Sequence, residues 1–291
     1  MRCSLLLFAG LSTVHAGHIL LSNVDGWAST NIRNLYDTLV TYRHDVILSA
    51  PAKDKSGNGI KDEPPKFLGK HGCHKDSCPP YSEPTGAAPS DPRLNYVNSY
   101  AVTSVKYGLE KLAPDIWGGA TPDLVITGPN KGWNYGGGDG FEHSSTVGAA
   151  MWVVKHANIP AIAFSGAKHH SVSRTNADLS LKIINQLLAS GKPYLPDGVW
   201  LNVNFPHGAR QCSPDEYKFI LTRVSPNHSS TWGPDVEWCD NNGSLPSEKM
   251  VANLERCYVA IGVGNARYVT TSDAARQEMV LGKLAPALSC I

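Results

Sequence analysis

A short apolar run, Ile19-Leu20-Leu21-Ser22, breaks off at Asn23-Val24-Asp25-Gly26, and a helical pattern follows at once. A continuous apolar run bounded by turn formers reads as a buried strand. Strands buried on both faces belong to parallel sheets. The loop after such a strand lies at the carboxyl edge, where open α/β sheets bind ligands. Asn and Asp-Gly also make plain turns, so the segment alone leaves both readings open. The rest of the chain repeats the rhythm. Ile32, Leu35, Tyr36, Leu39 and Val40 recur at helical spacing, with Ser29 or Thr30 placed to cap. Asp45 to Ala50 reads as a second strand ended by Pro51, and helical spacing returns at Val102, Val105, Leu109 and Leu112. Asp123–Thr127, Pro160–Phe164 and Val199–Phe205 read as further strands, separated by helices over 144–157 and 173–190. This alternation predicts an α/β fold, a three-layer Rossmann-like arrangement around a mostly parallel sheet. After Pro206, runs at Tyr217–Val224 and Cys257–Val263 suggest a C-terminal antiparallel extension. The stretch from Lys53 to Pro92 shows no clear periodicity and is too long for an ordinary connection, which marks it as a functional or disulfide-clipped insertion.

The net charge of +1 gives no bulk attraction to nucleic acid or to a membrane surface, and neither is expected as a partner. Residues 1–16 have the form of a secretory signal peptide: Arg2, the apolar centre Leu5–Leu11, and small residues at Val14-His15-Ala16. The apolar run is too short to span a bilayer. The expected organisation is a signal at 1–16, an α/β domain at 17–206, and an extension of it at 207–291 that is a candidate oligomerisation segment. Removing Cys3 with the signal leaves Cys73, Cys78, Cys212, Cys239, Cys257 and Cys290. An even set in a secreted, extracellular chain predicts three disulfides, Cys73 with Cys78 and the other four among themselves. Zinc is the alternative, unsupported by any Cys-x-x-Cys repeat. Asn227-His228-Ser229 and Asn242-Gly243-Ser244 are glycosylation sequons.

In a parallel sheet four segments share one edge: Asn23–Gly26, Ala50–Gly57, Gly128-Pro129-Asn130 and Ser144-Ser145-Thr146. Carboxylate, hydroxyl and amide oxygens are hard donors suited to magnesium, manganese or calcium. The Ser-Ser-Thr run opens a helix, where free N–H groups and the helix dipole favour an anion. A cation beside an anion site suits phosphoester hydrolysis. Each element also has a bland reading as a turn or a cap. Trp27 and Trp133 either flank a substrate ring or cover the sheet edge, and His169-His170 reads as a solvated loop.

Together these segments resemble the survival protein SurE family of metal-dependent phosphatases and nucleotidases. The family's Asn-Asp-Asp-Gly corresponds to Asn23-Val24-Asp25-Gly26. Its Ala-Pro, four residues, Ser-Gly motif corresponds to Ala50 through Gly57. Its glycine- and asparagine-rich motif corresponds to Thr127 through Gly136, and its Tyr-Ser-Gly-Thr-Val-Gly-Ala-Ala to His143 through Ala150. The likeness runs from about residue 18 to 206. It implies metal ligation by Asp25, Ser56 and Asn130, with Mg2+ or Mn2+ as the ion. It places Asn23 and Asp25 at the reacting centre and Ser144 and Thr146 on the phosphate. It implies a small phosphorylated substrate such as a nucleoside monophosphate, and a homodimer or higher homo-oligomer.

Val24 stands where the family has the first of two metal-binding aspartates, which removes one formal negative charge from the ion's ligands. His143 replaces a tyrosine and Ser145 a glycine, with Asp139, Glu142 and His143 as candidate substitute ligands. The leading expectation is a secreted, metal-dependent phosphomonoesterase of the acid phosphatase or 5'-nucleotidase kind. The alternatives are a non-catalytic phosphate- or nucleotide-binding protein on the same scaffold, and an enzyme of another class. The insertion from Lys53 to Pro92 and the loop from Trp133 to His143 are expected to frame the substrate.

Overall fold

Strand β1 (His18–Ser22) is flanked on both sides by parallel neighbours, β2 (Asp45–Pro51) and β5 (Leu124–Lys131). Its apolar residues alternate between two faces. Ile19 and Leu21 enter one core and Leu20 the other, all fully buried. Each such burial contributes roughly 1.5–3 kcal/mol, which explains why the run carries no polar residue before Ser22. The computed structural model describes residues 16–136, 139–166 (139 and 140 by backbone only), 173–206, 212–213, 215–225, 233–254 and 256–291. All but the last residue of the expected leader, His169-His170 and the Asn227 sequon lie outside these residues.

Along the chain, α1 (Thr30–Thr41) leads into β2, and β3 (Thr85–Ala88) and β4 (Asp91–Val97) follow. Helix α2 (Ala101–Tyr107) passes through a π-helical turn into α3 (Ala113–Trp117), before β5. A short α4 (Asp139–Glu142), α5 (Ser145–Ala157), β6 (Ala161–Gly166), α6 (Ser173–Ala189) and β7 (Val199–Asn204) complete the expected alternation. Then come β8 (Lys218–Thr222), α7 (Glu248–Asn253), β9 (Tyr258–Asn265), β10 (Thr270–Thr271) and α8 (Ala274–Leu284). The sheet order is β10-β9-β7-β6-β5-β1-β2-β4-β3, with β8 on β9. Helices α1 and α6 pack together over one face, with α8 against α6, and α2 and α5 pack together over the other. The architecture is the three-layer, mostly parallel one expected from the sequence.

The C-terminal segment enters the sheet antiparallel: β9 runs against β7, and β10 against β9. β8 runs parallel to β9, which the sequence pattern did not indicate. The stretch read as lacking periodicity contains β3, which pairs antiparallel with β4, and the first two residues of β4. The sequence there is Thr-Gly-Ala-Ala, a half-exposed edge strand with no apolar alternation to reveal it. Cysteines pair as Cys73–Cys78, Cys212–Cys257 and Cys239–Cys290, with Cα separations of 4.9, 6.1 and 5.6 Å. Asn242 is exposed on a turn.

Candidate functional site

β1 leads through β2 toward β4 in one direction, and β5 starts the other half of the sheet on the opposite side of β1. The β1/β5 boundary is therefore the point where strand order reverses, and ligands bind outside such points. Asp25 leaves the end of β1, and its Oδ2 accepts the Lys131 N–H at 2.9 Å, bridging the boundary. Gly26 follows with φ at +100°, and a Cβ there would meet the His74 ring at 3.3 Å. The missing side chain at Gly26 is what lets His74 of the Cys73–Cys78 loop lie against this turn, on the wall of the same cleft as Asp25.

The other predicted loops are tied to the same rim. The Lys55 N–H donates to the Val24 carbonyl at 2.8 Å, which brings the segment containing Ser56 beside the first loop. The Ser145 hydroxyl donates to the Lys55 carbonyl at 3.1 Å and accepts the Asn58 N–H at 3.0 Å. Thr127, opposite Ser22 in the sheet, donates its hydroxyl to the Thr146 carbonyl at 2.8 Å. The start of α5 is thereby fixed over the β1/β5 edge. Gly148 allows this approach, because a Cβ there would reach the Gly59 backbone at 3.0 Å.

The individual side chains differ. Asp25 is 7% exposed. Burial pushes its carboxyl up to about 6; the Lys131 N–H opposes this, the Asp54 charge adds to it and the Lys131 ammonium lowers it. Asn130 is half-buried and donates its amide to the Gly132 carbonyl at 3.2 Å. Ser56 is exposed, in a turn closed by its N–H on Asp54 Oδ1 at 2.8 Å. Among the described residues no hydrogen bond joins the side chains of Asp25, Ser56 and Asn130 directly. Asn23 donates to Ser29 Oγ at 2.8 Å, leaving its buried Oδ1 without a partner, and Thr146 Oγ1 is likewise buried and unpartnered. The Ser144 hydroxyl is committed: it donates to Asn134 Oδ1 at 2.6 Å and caps α5 through the Val147 N–H at 3.2 Å. Val24 is 2% exposed within the apolar cluster and offers no donor.

A cleft of about 180 Å³ opens beside Asp25, lined also by Ser29, Thr30, Asp54, His74, Lys75 and Lys131. It places two ammonium groups and a second carboxylate near Asp25. The sequence reading missed Asp54, His74 and Lys75, because charged residues in a long loop carry no periodic signal, and Lys131, which ends β5 beyond its apolar run. The one available cue was Cys73–Cys78 enclosing His74 and Lys75. Trp27 is buried against Tyr96, with ring centroids 5.3 Å apart, so it belongs to the core and does not flank a substrate ring. Trp133 donates its ring N–H to the Phe205 carbonyl at 2.9 Å, closing over the sheet edge. Glu142 and His143 are exposed, and the His143 carbonyl accepts the Gly59 N–H at 3.2 Å. Among the described residues there is no cluster of three His, Cys, Asp or Glu side chains able to hold a metal. The side chain of Asp139 lies outside the description.

The chain matches the family model described as survival protein SurE over residues 19–231. It is 35% identical to an acid phosphatase of Yarrowia lipolytica over 302 aligned residues, covering 91% of this chain and 84% of that protein. It is 34% identical to a 5'-nucleotidase SurE of Desulfitobacterium hafniense over 233 residues, covering 76% and 79%. The crystal structure of the SurE protein from Aquifex aeolicus superposes with a TM-score of 0.58 at 24% identity, covering 86% of this chain and 93% of that one. At that identity the likeness is one of fold.

Proposed function

We propose, from the premise that this chain belongs to the survival protein SurE family, that it is a secreted phosphomonoesterase acting on nucleoside monophosphates or comparable small phosphate esters. The relatives named acid phosphatase and 5'-nucleotidase support the phosphomonoesterase function. The observation that carries the reading is the meeting of Asp25 and the start of α5 at the strand-order reversal, through Lys131 and Thr127. A phosphoryl group there would meet the Ser145 and Thr146 N–H groups at the start of α5, which have no intrahelical acceptor, the Val147 N–H being taken by the Ser144 cap. The Thr146 hydroxyl, buried and unpartnered, is available to donate to a phosphoryl oxygen. Lys131 and Lys75 offset the charge of a dianionic substrate. With Oδ2 held by the Lys131 N–H, Asp25 keeps Oδ1 to orient an attacking water.

The family is generally metal-dependent. The donors present, one Asp25 carboxylate with the Asn130 amide and Ser56 hydroxyl oxygens, are hard and suit Mg2+ or Mn2+, held with one carboxylate fewer than the family pattern. Such an ion, when bound, supplies positive charge to the transferring phosphoryl group. Secretion is supported by the signal-like segment and by paired cysteines, which persist in oxidising compartments. A homo-oligomer is proposed from the family resemblance.

Turnover of p-nitrophenyl phosphate and nucleoside monophosphates, across divalent ions and acidic to neutral pH, tests the proposal. Activity should exceed that of Asp25→Ala by at least about 100-fold, the scale of losing a positioned acid–base group. Equal rates overturn it. The burial of Val24 among apolar residues favours one second reading, a protein that binds phosphate esters without hydrolysing them. Calorimetric binding of a nucleoside monophosphate without turnover would establish that reading.

A further inference from the structure

Glu248 opens α7, far along the chain from the site, and is 1% exposed. Both its carboxyl oxygens receive the Asn202 side-chain amide at 2.9 Å. That amide also donates to the Asn134 backbone carbonyl at 2.6 Å, sharing two hydrogens among three acceptors. Asn204, two residues along β7, donates to the same carbonyl at 2.9 Å and accepts the Asn134 N–H at 3.0 Å. The Asn134 side chain continues the path, donating to Ser165 Oγ and accepting the Ser144 hydroxyl. Ser144 in turn caps α5. From the other side, Gly262 of β9 presses on the acid, since a Cβ there would lie 2.1 Å from Glu248 Oε1.

Burying a carboxyl group is costly unless it is hydrogen-bonded, and apolar packing would serve stability alone as well or better. A hydrogen-bonded buried polar network fixes geometry, and in this one only the Asn202 Oδ1, among the side-chain atoms of the residues named, is left without a partner. This one ends at the mouth of the helix that faces the β1/β5 edge.

We propose that Glu248 is a positioning residue for the phosphoryl pocket: it holds Asn202, Asn202 and Asn204 grip the Asn134 backbone, and Asn134 fixes Ser144 where α5 begins. This rests on the reading of the α5 start as a phosphoryl site. The test compares Glu248→Gln, Glu248→Leu and Glu248→Asp in the full chain. Amide hydrogen exchange of segments 132–136 and 144–150 is read beside kcat and KM for p-nitrophenyl phosphate. Glu248→Gln should stay within twofold of the parent in both. Glu248→Leu should speed exchange in both segments at least tenfold and raise KM at least tenfold, with kcat changed less than threefold. If Glu248→Leu does not fold, Glu248→Asp, with its carboxyl drawn back by one methylene, should show the same direction in both readouts. Faster exchange confined to 248–262 with KM unchanged overturns the proposal. If the parent shows no turnover at all, the phosphatase reading fails, while the exchange data still decide whether the relay exists.

Discussion

The Ser145 hydroxyl accepts the Asn58 N–H at 3.0 Å, joining the first turn of α5 to the loop that carries Ser56. The same oxygen donates to Lys55, whose own N–H is bound to Val24. One serine, at a position where the resembled family pattern has glycine, thus joins two rim segments, and the Lys55 N–H carries the connection to the third. Ser145→Ala leaves the half-buried Asn58 N–H unpaired, while the Lys55 carbonyl keeps the Asn58 side-chain amide at 3.0 Å, and should cost about 1–2 kcal/mol. Thermal unfolding measures the loss, and exchange of residues 55–58 should rise more than that of the sheet.

Gly59 is the tightest point of the same contact. Its φ is +53°, and a Cβ would sit 2.1 Å from the Glu142 carbonyl oxygen. Gly59→Ala should therefore force the loop off the start of α5. We expect a loss of more than about 2 kcal/mol, combining overpacking with backbone strain. Denaturant unfolding would read the loss, and an unchanged midpoint would contradict the contact.

Val24→Asp restores the absent acid but places it in an apolar setting. In chelator the variant should be less stable than the parent by several kcal/mol, the scale of an unpaired buried charge. Added Mg2+ or Mn2+ should raise its melting temperature, while the parent responds little. A melting temperature indifferent to divalent ions in the variant would show that the site cannot be rebuilt by this single change.

Burial holds the Glu248 carboxyl well above its ordinary 4.5, against the opposing Asn202 amide. The unfolded chain releases this proton near pH 4.5 and the folded chain keeps it. The Glu248 contribution to stability must then fall as pH rises from about 4.5 toward the folded value, by at most ~1.4 kcal/mol per pH unit. Glu248→Gln should remove that slope. Unfolding measured from pH 4 to 8 for parent and variant would reveal it as a difference that grows with pH.

Lys131 presents its ammonium to the cleft beside Asp25, and Lys75 reaches Thr30 at 3.1 Å along the same wall. Lys131→Ala should raise KM for a dianionic ester about tenfold, near 1.4 kcal/mol. The effect should shrink with added salt, as expected for an exposed charge. A KM unchanged at low ionic strength would remove Lys131 from the substrate's path.

The central strands were legible because Ile19–Leu21, Val46–Leu48 and Leu124–Ile126 are apolar on both faces, a pattern that only a covered sheet explains. The convergence of four loops followed from parallel strand direction alone. Strand β3 was hidden because an edge strand of small residues has little to bury. The cleft's charged wall was hidden because its contributors come from three separate places, Asp54 after β2, His74 and Lys75 in the disulfide-closed loop and Lys131 at the end of β5, which no local rule brings together. Ser144 illustrates a different limit. Its place at the helix start could be read from spacing, but the partner that occupies its proton, Asn134, depends on β7 and on an acid more than one hundred residues downstream.

Strand β9 lies inside the sheet, with β7 on one side and β8 and β10 on the other. A chain cut short after β7 would therefore not simply lack a tail. It would present the bare hydrogen-bonding edge of β7, whose residues are otherwise wholly enclosed, to any neighbouring polypeptide. Shortened forms of this protein should self-associate and precipitate instead of persisting as a smaller working version.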